Sequence, residues 1–141
     1  MRRTTYTVAR AFSLMEMLIV VAIIGLIAAL AVPRLGKLFG ESQRKTTVAQ
    51  VQILTQSVEN FKINVGRYPT KEEGLRVLLE KPDGAEGWEG PYLDKKTLPK
   101  DGWKRDFIYI PDEKWGFIIT SLGADGKDGG EGDNADIDNR S

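Results

Sequence analysis

The chain has 141 residues, with 20 Lys+Arg balanced by 20 Asp+Glu, no His and no Cys. That length fits one modest domain, or a small domain carrying an appendage. The composition excludes a disulfide-stapled fold, thiolate metal sites and a thiol or imidazole catalyst, and the zero net charge excludes a domain that coats nucleic acid by bulk electrostatics.

The neutral total conceals segregation along the chain. Arg2, Arg3 and Arg10 precede the first acid, Glu16. From Met17 to Val32 no side chain is charged or polar, and Pro33, Arg34 and Lys37 follow. A bilayer core of about 30 Å needs about 20 apolar helical residues, so the segment that starts near Phe12 is long enough to span one. Basic residues ahead of it predict a cytoplasmic N-terminus. Three readings remain open on these residues alone. A cleaved secretory signal would use the A-x-A-type site Ala29-Leu30-Ala31. An ordinary membrane anchor explains the apolar run but leaves Glu16 without a purpose. The third reading is centred on Glu16, because an ionisable group at the start of an apolar span is costly and calls for a partner.

Beyond Pro33 the helical periodicity resumes. Val48, Val51, Leu54, Val58, Phe61 and Val65 recur at three and four residues as one narrow apolar stripe, and Gly66 supplies a stop. Pro33, Gly36 and Gly40 are points where the helix could bend or melt. An unbroken helix from Phe12 to Val65 is on the order of 80 Å long. No 141-residue globule buries that length, so the first part is expected to project and the second to pack.

Thr70 to Glu73 has the spacing of a capping box and opens a short helix carrying Leu75, Leu78 and Leu79. From Asp83 to Trp103 the chain reads as an ordered loop pinned by Trp88, Pro91, Tyr92, Leu93 and Trp103. Phe107–Ile110 and Trp115–Thr120 read as two strands of a hairpin joined by residues 111–114. So small a sheet needs a cover, and the stripe from Val48 to Val65 supplies one. The expected fold is α+β: a long N-terminal helix, apolar in its first half and amphipathic in its second, packed on a small antiparallel sheet.

The C-terminal segment joins Asp125, Asp128, Glu131, Asp133 and Asp136 to flexible glycines. Carboxylates and inward-turned carbonyls are what Ca²⁺ takes, six to eight oxygens at about 2.3–2.6 Å. The spacing is not that of an EF-hand, since Lys127 occupies the third loop position. On the residues alone, a solvated acidic tail is the competing reading. There is no P-loop and no Rossmann glycine fingerprint, and the acids gather in the tail rather than in a cleft. An enzyme is not expected.

Arg10-Ala11-Phe12-Ser13-Leu14-Met15-Glu16-Met17-Leu18-Ile19-Val20 resembles the class III signal of type IV pilins and type II secretion pseudopilins. Gly66–Thr70, Gly74-Leu75, Leu78-Leu79, Trp88–Leu93 and Ser121–Gly126 resemble the major pseudopilins in particular. The likeness covers nearly the whole chain from Phe12. It implies a prepilin leader over 1–11, an assembly and membrane helix over 12–33, and a periplasmic domain over 34–141 with a calcium loop at about 121–138. It also implies that a prepilin peptidase cuts between Ala11 and Phe12 and N-methylates Phe12. Glu16 would then pair with the methylated amine of a neighbouring copy, and Pro33 sits at the family's kink position. Two departures stand out: Ala11 replaces the usual Gly before the cut, and Asp101-Gly102-Trp103-Lys104-Arg105-Asp106 replaces Asp-Pro-Trp-Gly followed by a polar residue and a tyrosine.

The same resemblance implies one Ca²⁺, held by the side chains of Asp125 and Asp133 and the carbonyls of Leu122, Lys127 and Ala135. Asp128, Glu131 and Asp136 are alternatives. It implies a homopolymeric filament, partnered by minor pseudopilins and an inner-membrane assembly platform, with the subunit single-pass in the bacterial inner membrane before assembly. The pseudopilus so formed would drive folded proteins across the outer membrane. A type IV pilin is the nearest alternative, although those commonly close the C-terminus with a disulfide that a Cys-free chain cannot make. A membrane-anchored periplasmic binding module that never polymerises is the alternative from another class.

Overall fold

The structure is a computed structural model that describes residues 12–140. The leader assigned to residues 1–11, Ala11 with it, lies outside the described residues. The chain divides into two compact units between Lys37 and Leu38.

One helix, α1, runs from Leu14 to Val65. Ser13 starts it: its hydroxyl accepts from the Met15 amide at 3.2 Å and its carbonyl from the Met17 amide at 3.2 Å. The helix continues through Pro33, Gly36 and Gly40. A single proline removes one ladder bond, and the Leu- and Ala-rich neighbours favour helix strongly enough to carry it past that point.

In the second unit the stripe on α1 is the centre of the core. Leu54, Val58 and Phe61 are 0% exposed and Val51 is buried beside them. The two ends of the expected stripe differ: Val48 is exposed and Val65 only half-buried. Thr47 is buried where Val48 was expected, because the chain crossing there offers polar backbone rather than apolar side chains. Its hydroxyl donates to Gln43 O at 2.8 Å and accepts from the Gly102 amide at 2.9 Å.

The capping box forms as its spacing predicts. Glu73 Oε2 accepts from the Thr70 amide at 2.8 Å and Thr70 Oγ1 from the Glu73 amide at 3.3 Å. The element that follows is a five-residue 3₁₀ helix, Gly74–Leu78, placing Leu75, Val77 and Leu78 in the core. Arg67 grips Glu73 with both guanidinium nitrogens at 2.7 Å, which holds the Glu73 carboxyl below its usual range. In the loop after it, Trp88 donates Nε1–H to Val77 O at 2.8 Å, Tyr92 stacks edge-on against Trp88, and Leu93 is buried. Pro91 is exposed and does not act as the plug expected of it; Trp103 is only half-buried.

The sheet is three-stranded and antiparallel, in the order β1 (Ile108–Asp112), β2 (Gly116–Ser121), β3 (Ile137–Asp138). The hairpin pairs Ile108 with Thr120 and Asp112 with Gly116, so its loop is the three residues 113–115 rather than 111–114. Pro111 extends β1 because that strand lies at the sheet edge, where a missing amide costs nothing. Tyr109, Phe117 and Ile119 face the core. Burial pushes the Tyr109 phenol well above its ordinary pKa, and its hydroxyl donates to Pro69 O at 2.9 Å. The third strand pairs Ser121 with Ile137, and Asn139 extends it with its side chain: Oδ1 accepts from the Ile119 amide at 2.9 Å and Nδ2 donates to Phe117 O at 3.2 Å.

Candidate functional site

Two features carry function in the sequence, the apolar start of α1 and the acidic loop between β2 and β3. Leu14–Val32 is a 19-residue stretch long and apolar enough to cross a membrane, with none of it buried within the chain. Phe12, the expected mature terminus, is 71% exposed. Glu16 is exposed in the first turn of α1, where the positive end of the helix dipole favours a carboxylate, and no ion pair among the described residues engages it. Pro33 lies inside α1.

The acidic loop is closed by its own backbone. The Gly126 amide donates to Leu122 O at 3.0 Å, and the Ala124 amide to Asp133 O at 2.9 Å, so the outgoing and returning legs are joined at Ala124 and Asp133. Asp125 Oδ1 accepts from the Lys127 amide at 3.1 Å, folding a tight turn. Asp136 Oδ2 accepts from the Gly129 amide at 2.9 Å, while its other oxygen, Oδ1, is buried without a hydrogen-bond partner. Asp128 and Glu131 are exposed.

The structure treats the expected metal ligands unequally. Asp125 and Leu122 stand at the start of the loop with their oxygens turned to its own amides. Ala135 O accepts from Arg44 Nη1 at 3.4 Å, as does Gly132 O at 3.2 Å. The Asp133 carboxylate lies against α1 at Gly40, where an added Cβ would fall 2.0 Å from Oδ2. Gly40 is thus a point of close approach for the loop, where the sequence suggested only a weak point in the helix. Among the described residues no three acidic side chains converge on one point. A site of two carboxylates plus carbonyls does not require that.

The donor set suits a hard divalent cation: every group on offer is an oxygen, and a buried carboxylate oxygen without a hydrogen bond carries a desolvation cost that a cation would offset. Asp125 and Asp136 side chains, with Leu122 and Lys127 carbonyls, are the residues that could hold Ca²⁺ without giving up a contact to α1, although Asp125 and Leu122 already accept from the loop's own amides. Asp133 would have to leave Gly40.

Sequence reasoning missed the turn that supports this loop. Asp101 is buried and accepts three hydrogen bonds, from the Trp103 and Arg105 amides at 2.9 and 2.8 Å and from Ser121 Oγ at 2.7 Å. Lys104 takes a left-handed φ of +66°, at the motif position that the major pseudopilins fill with glycine. Arg105 then reaches across to the carbonyls of Gly123 and Ala124, the latter at 2.7 Å. The signal was present in the sequence as a departure from the motif, but only the fold shows where Arg105 points.

Comparison with known proteins agrees with this architecture. The sequence pattern of the family described as type II secretion system (T2SS), protein G, matches residues 34–140. The type II secretion system core protein G of Vibrio cholerae is 37% identical over 132 residues, covering 91% of this chain and 89% of that protein. Its counterpart in Pseudomonas aeruginosa is 38% identical over 135 residues, covering 91% and 92%. Among solved structures, the major pseudopilin from the type 2 secretion system of enterohaemorrhagic Escherichia coli superposes with a TM-score of 0.56 at 28% identity, over 70% of this chain and 87% of that one. The helix over a small antiparallel sheet is therefore the pseudopilin fold. The chain belongs to the type II secretion system protein G family, whose members are structural pseudopilins rather than enzymes.

Proposed function

We propose that the chain is the repeating subunit of a type II secretion pseudopilus, a periplasmic filament whose growth pushes folded proteins across the outer membrane. The observation that supports this most is the absence of intramolecular burial along Leu14–Val32, beside a domain that satisfies its own core. An apolar helix left uncovered by its own chain requires a bilayer or other copies of itself. In this reading it has both in turn. The subunit waits in the inner membrane with its N-terminus cytoplasmic, the orientation favoured by Arg2, Arg3 and Arg10, and later moves into a bundle of like helices.

A prepilin peptidase cuts between Ala11 and Phe12 and methylates the new Phe12 amine. Glu16 of each incoming subunit pairs with that amine on a neighbour. Leaving such a carboxylate unpaired in an apolar bundle costs roughly 3–5 kcal/mol, enough to set the register of addition. Minor pseudopilins and an inner-membrane platform start and drive the polymer. The acidic loop takes one Ca²⁺, which supplies a divalent charge to hold together a segment whose carboxylates otherwise repel.

Mass spectrometry of the protein from its native membrane tests the processing: a methylated Phe12 terminus is expected, and an intact leader or a cut after Ala31 would overturn the reading. Electron microscopy of an overproducing strain should show filaments that vanish with Glu16→Ala. For the cation, adding CaCl₂ to the chelated full-length protein in detergent should raise its melting temperature, and Asp125→Ala should abolish the rise. An unchanged melting temperature in the unsubstituted protein removes calcium from the account.

A further inference from the structure

Several carbonyls of the acidic loop already have partners. Two guanidinium groups from outside the loop hold its two legs, and they differ in what they occupy. Arg44, on α1, takes Ala135 O on the returning leg, a carbonyl expected to serve a metal. Arg105, in the turn before β1, takes Gly123 O and Ala124 O on the outgoing leg, between Leu122 and Asp125. It thus fixes the backbone between two expected ligands while using neither of them.

Three further observations make Arg105 more than a surface contact. Its own position is set by the Asp101 turn, whose buried carboxylate receives the Arg105 amide and whose amide donates to Arg105 O at 2.9 Å. Ser121, the last residue of β2, donates to that same carboxylate, so strand, turn and loop neck share one anchor. Gly126 lies against the guanidinium: it has φ +69°, and an added Cβ would fall 3.0 Å from Arg105 Cζ. The turn closed by Gly126 N and Leu122 O is therefore built around the guanidinium.

We infer that Arg105 is the positioning residue of the cation loop: its two-pronged grip builds the Leu122–Gly126 turn before any metal arrives, so the cation need order only the remainder. This rests on the reading of the loop as a Ca²⁺ site. Physical chemistry sets two effects of Arg105 against each other. Its charge repels a divalent cation, so removing it would tighten binding; its grip lowers the ordering cost of binding, so removing it would weaken binding. In a solvent-exposed loop the charge effect is screened, while the fork acts at hydrogen-bond range, so the grip prevails.

The test uses the full-length chain in detergent, unsubstituted and as Arg105→Gln and Arg105→Lys. Calcium affinity is measured by calorimetric titration. Loop order is measured separately in EGTA, as the rate of tryptic cleavage after Lys127 relative to cleavage after Lys62 in α1. General loosening raises both cleavages, whereas loss of positioning raises only the first. Arg105→Gln should raise the calcium Kd about tenfold, the lower end of what outer-shell partners of metal ligands contribute, and should speed cleavage after Lys127 severalfold in EGTA. Arg105→Lys keeps the charge without the fork and should remain weakened on both measures; it also carries the comparison if Arg105→Gln fails to fold. Unchanged or tighter calcium binding by Arg105→Gln overturns the inference, as does full recovery by Arg105→Lys. If the unsubstituted chain binds no calcium while Arg105→Gln still exposes Lys127 selectively, the calcium reading fails and the positioning role of Arg105 in the loop stands.

Discussion

The two halves of α1 both carry apolar surface, and they solve the problem of covering it in opposite ways. From Val51 to Phe61 the helix shows a narrow stripe, and the chain covers it with its own sheet and loops until Leu54, Val58 and Phe61 have no exposure left. From Met17 to Val32 the helix is apolar on every side, and none of it is buried within the chain. A stripe can be satisfied by one sheet. A helix apolar all round needs neighbours on all sides, and no small domain supplies them. The difference separates the part of the sequence that specifies a fold from the part that specifies an assembly.

Truncation in each half should therefore be felt in different experiments, and this is the largest effect expected. Phe61→Ala removes a side chain from the centre of the core, where it meets Tyr92 edge-on at 6.1 Å. It should cost about 3–5 kcal/mol of domain stability, read as a large fall in the melting temperature of the full chain in detergent. Leu26→Ala, at a position 64% exposed within the chain, should leave that melting temperature unchanged. It should instead lower filament yield, since about 2 kcal/mol of apolar burial between copies is lost. A stability loss from Leu26→Ala would mean that the first half of α1 is covered by its own chain, and the contrast would collapse.

What the sequence made legible follows the same division. The helix, its buried stripe, the capping box and the hairpin were readable because periodicity and local turn chemistry encode them over a few residues. The third strand was not. Ile137–Asp138 is too short to show a period of two, and its extension along β2 is made by the Asn139 side chain rather than by backbone. The acidic loop was readable as a collection of oxygens but not as an arrangement. Its supports, Gly40, Arg44 and Arg105, come from distant positions: Gly40 looked locally like a weak point in the helix, Arg105 like part of a departure from a motif, and Arg44 carried no signal of its own. The apolar span and Glu16 stood out for the reverse reason, since a membrane or an apolar bundle imposes rules on composition that need no fold to be read.

A smaller effect should sharpen the contrast by pH. The Arg67 grip lowers the Glu73 pKa in the folded chain. That contribution is complete above the ordinary value of 4.5 and is lost as pH falls through the lower, folded value. The acid limb of the stability profile should therefore drop below about pH 4.5, and Glu73→Gln should flatten it. The side chains of Arg67 and Glu73 are 40% and 19% exposed, so solvent screening limits the loss to about 1 kcal/mol. Melting temperatures across pH 3–7 read this directly, and membrane extraction of the two proteins over the same range should be indistinguishable. A profile that Glu73→Gln leaves unchanged would assign the acid limb to other carboxylates.

The smallest effect has the opposite sign. Lys104 is the one non-glycine residue with positive φ among those described, and it sits in the Asp101 turn rather than in α1. A left-handed conformation costs a residue with a Cβ about 1–2 kcal/mol, whereas glycine adopts it freely. Lys104→Gly relieves that strain but gives the unfolded chain more freedom, which takes back about 0.4–1 kcal/mol. The net should be a gain of about 0.5–1 kcal/mol, seen as a melting temperature a few degrees higher. Because the turn holds Arg105 by its backbone and not through the Lys104 side chain, the grip on Gly123 and Ala124 should survive and cleavage after Lys127 should not accelerate. The gain belongs wholly to the self-covered part of the molecule, so filament yield should not change with it. If Lys104→Gly raised both stability and filament yield, turn and assembly would be coupled, and the division between a chain that covers its own core and a helix that waits for neighbours would need a bridge between its halves.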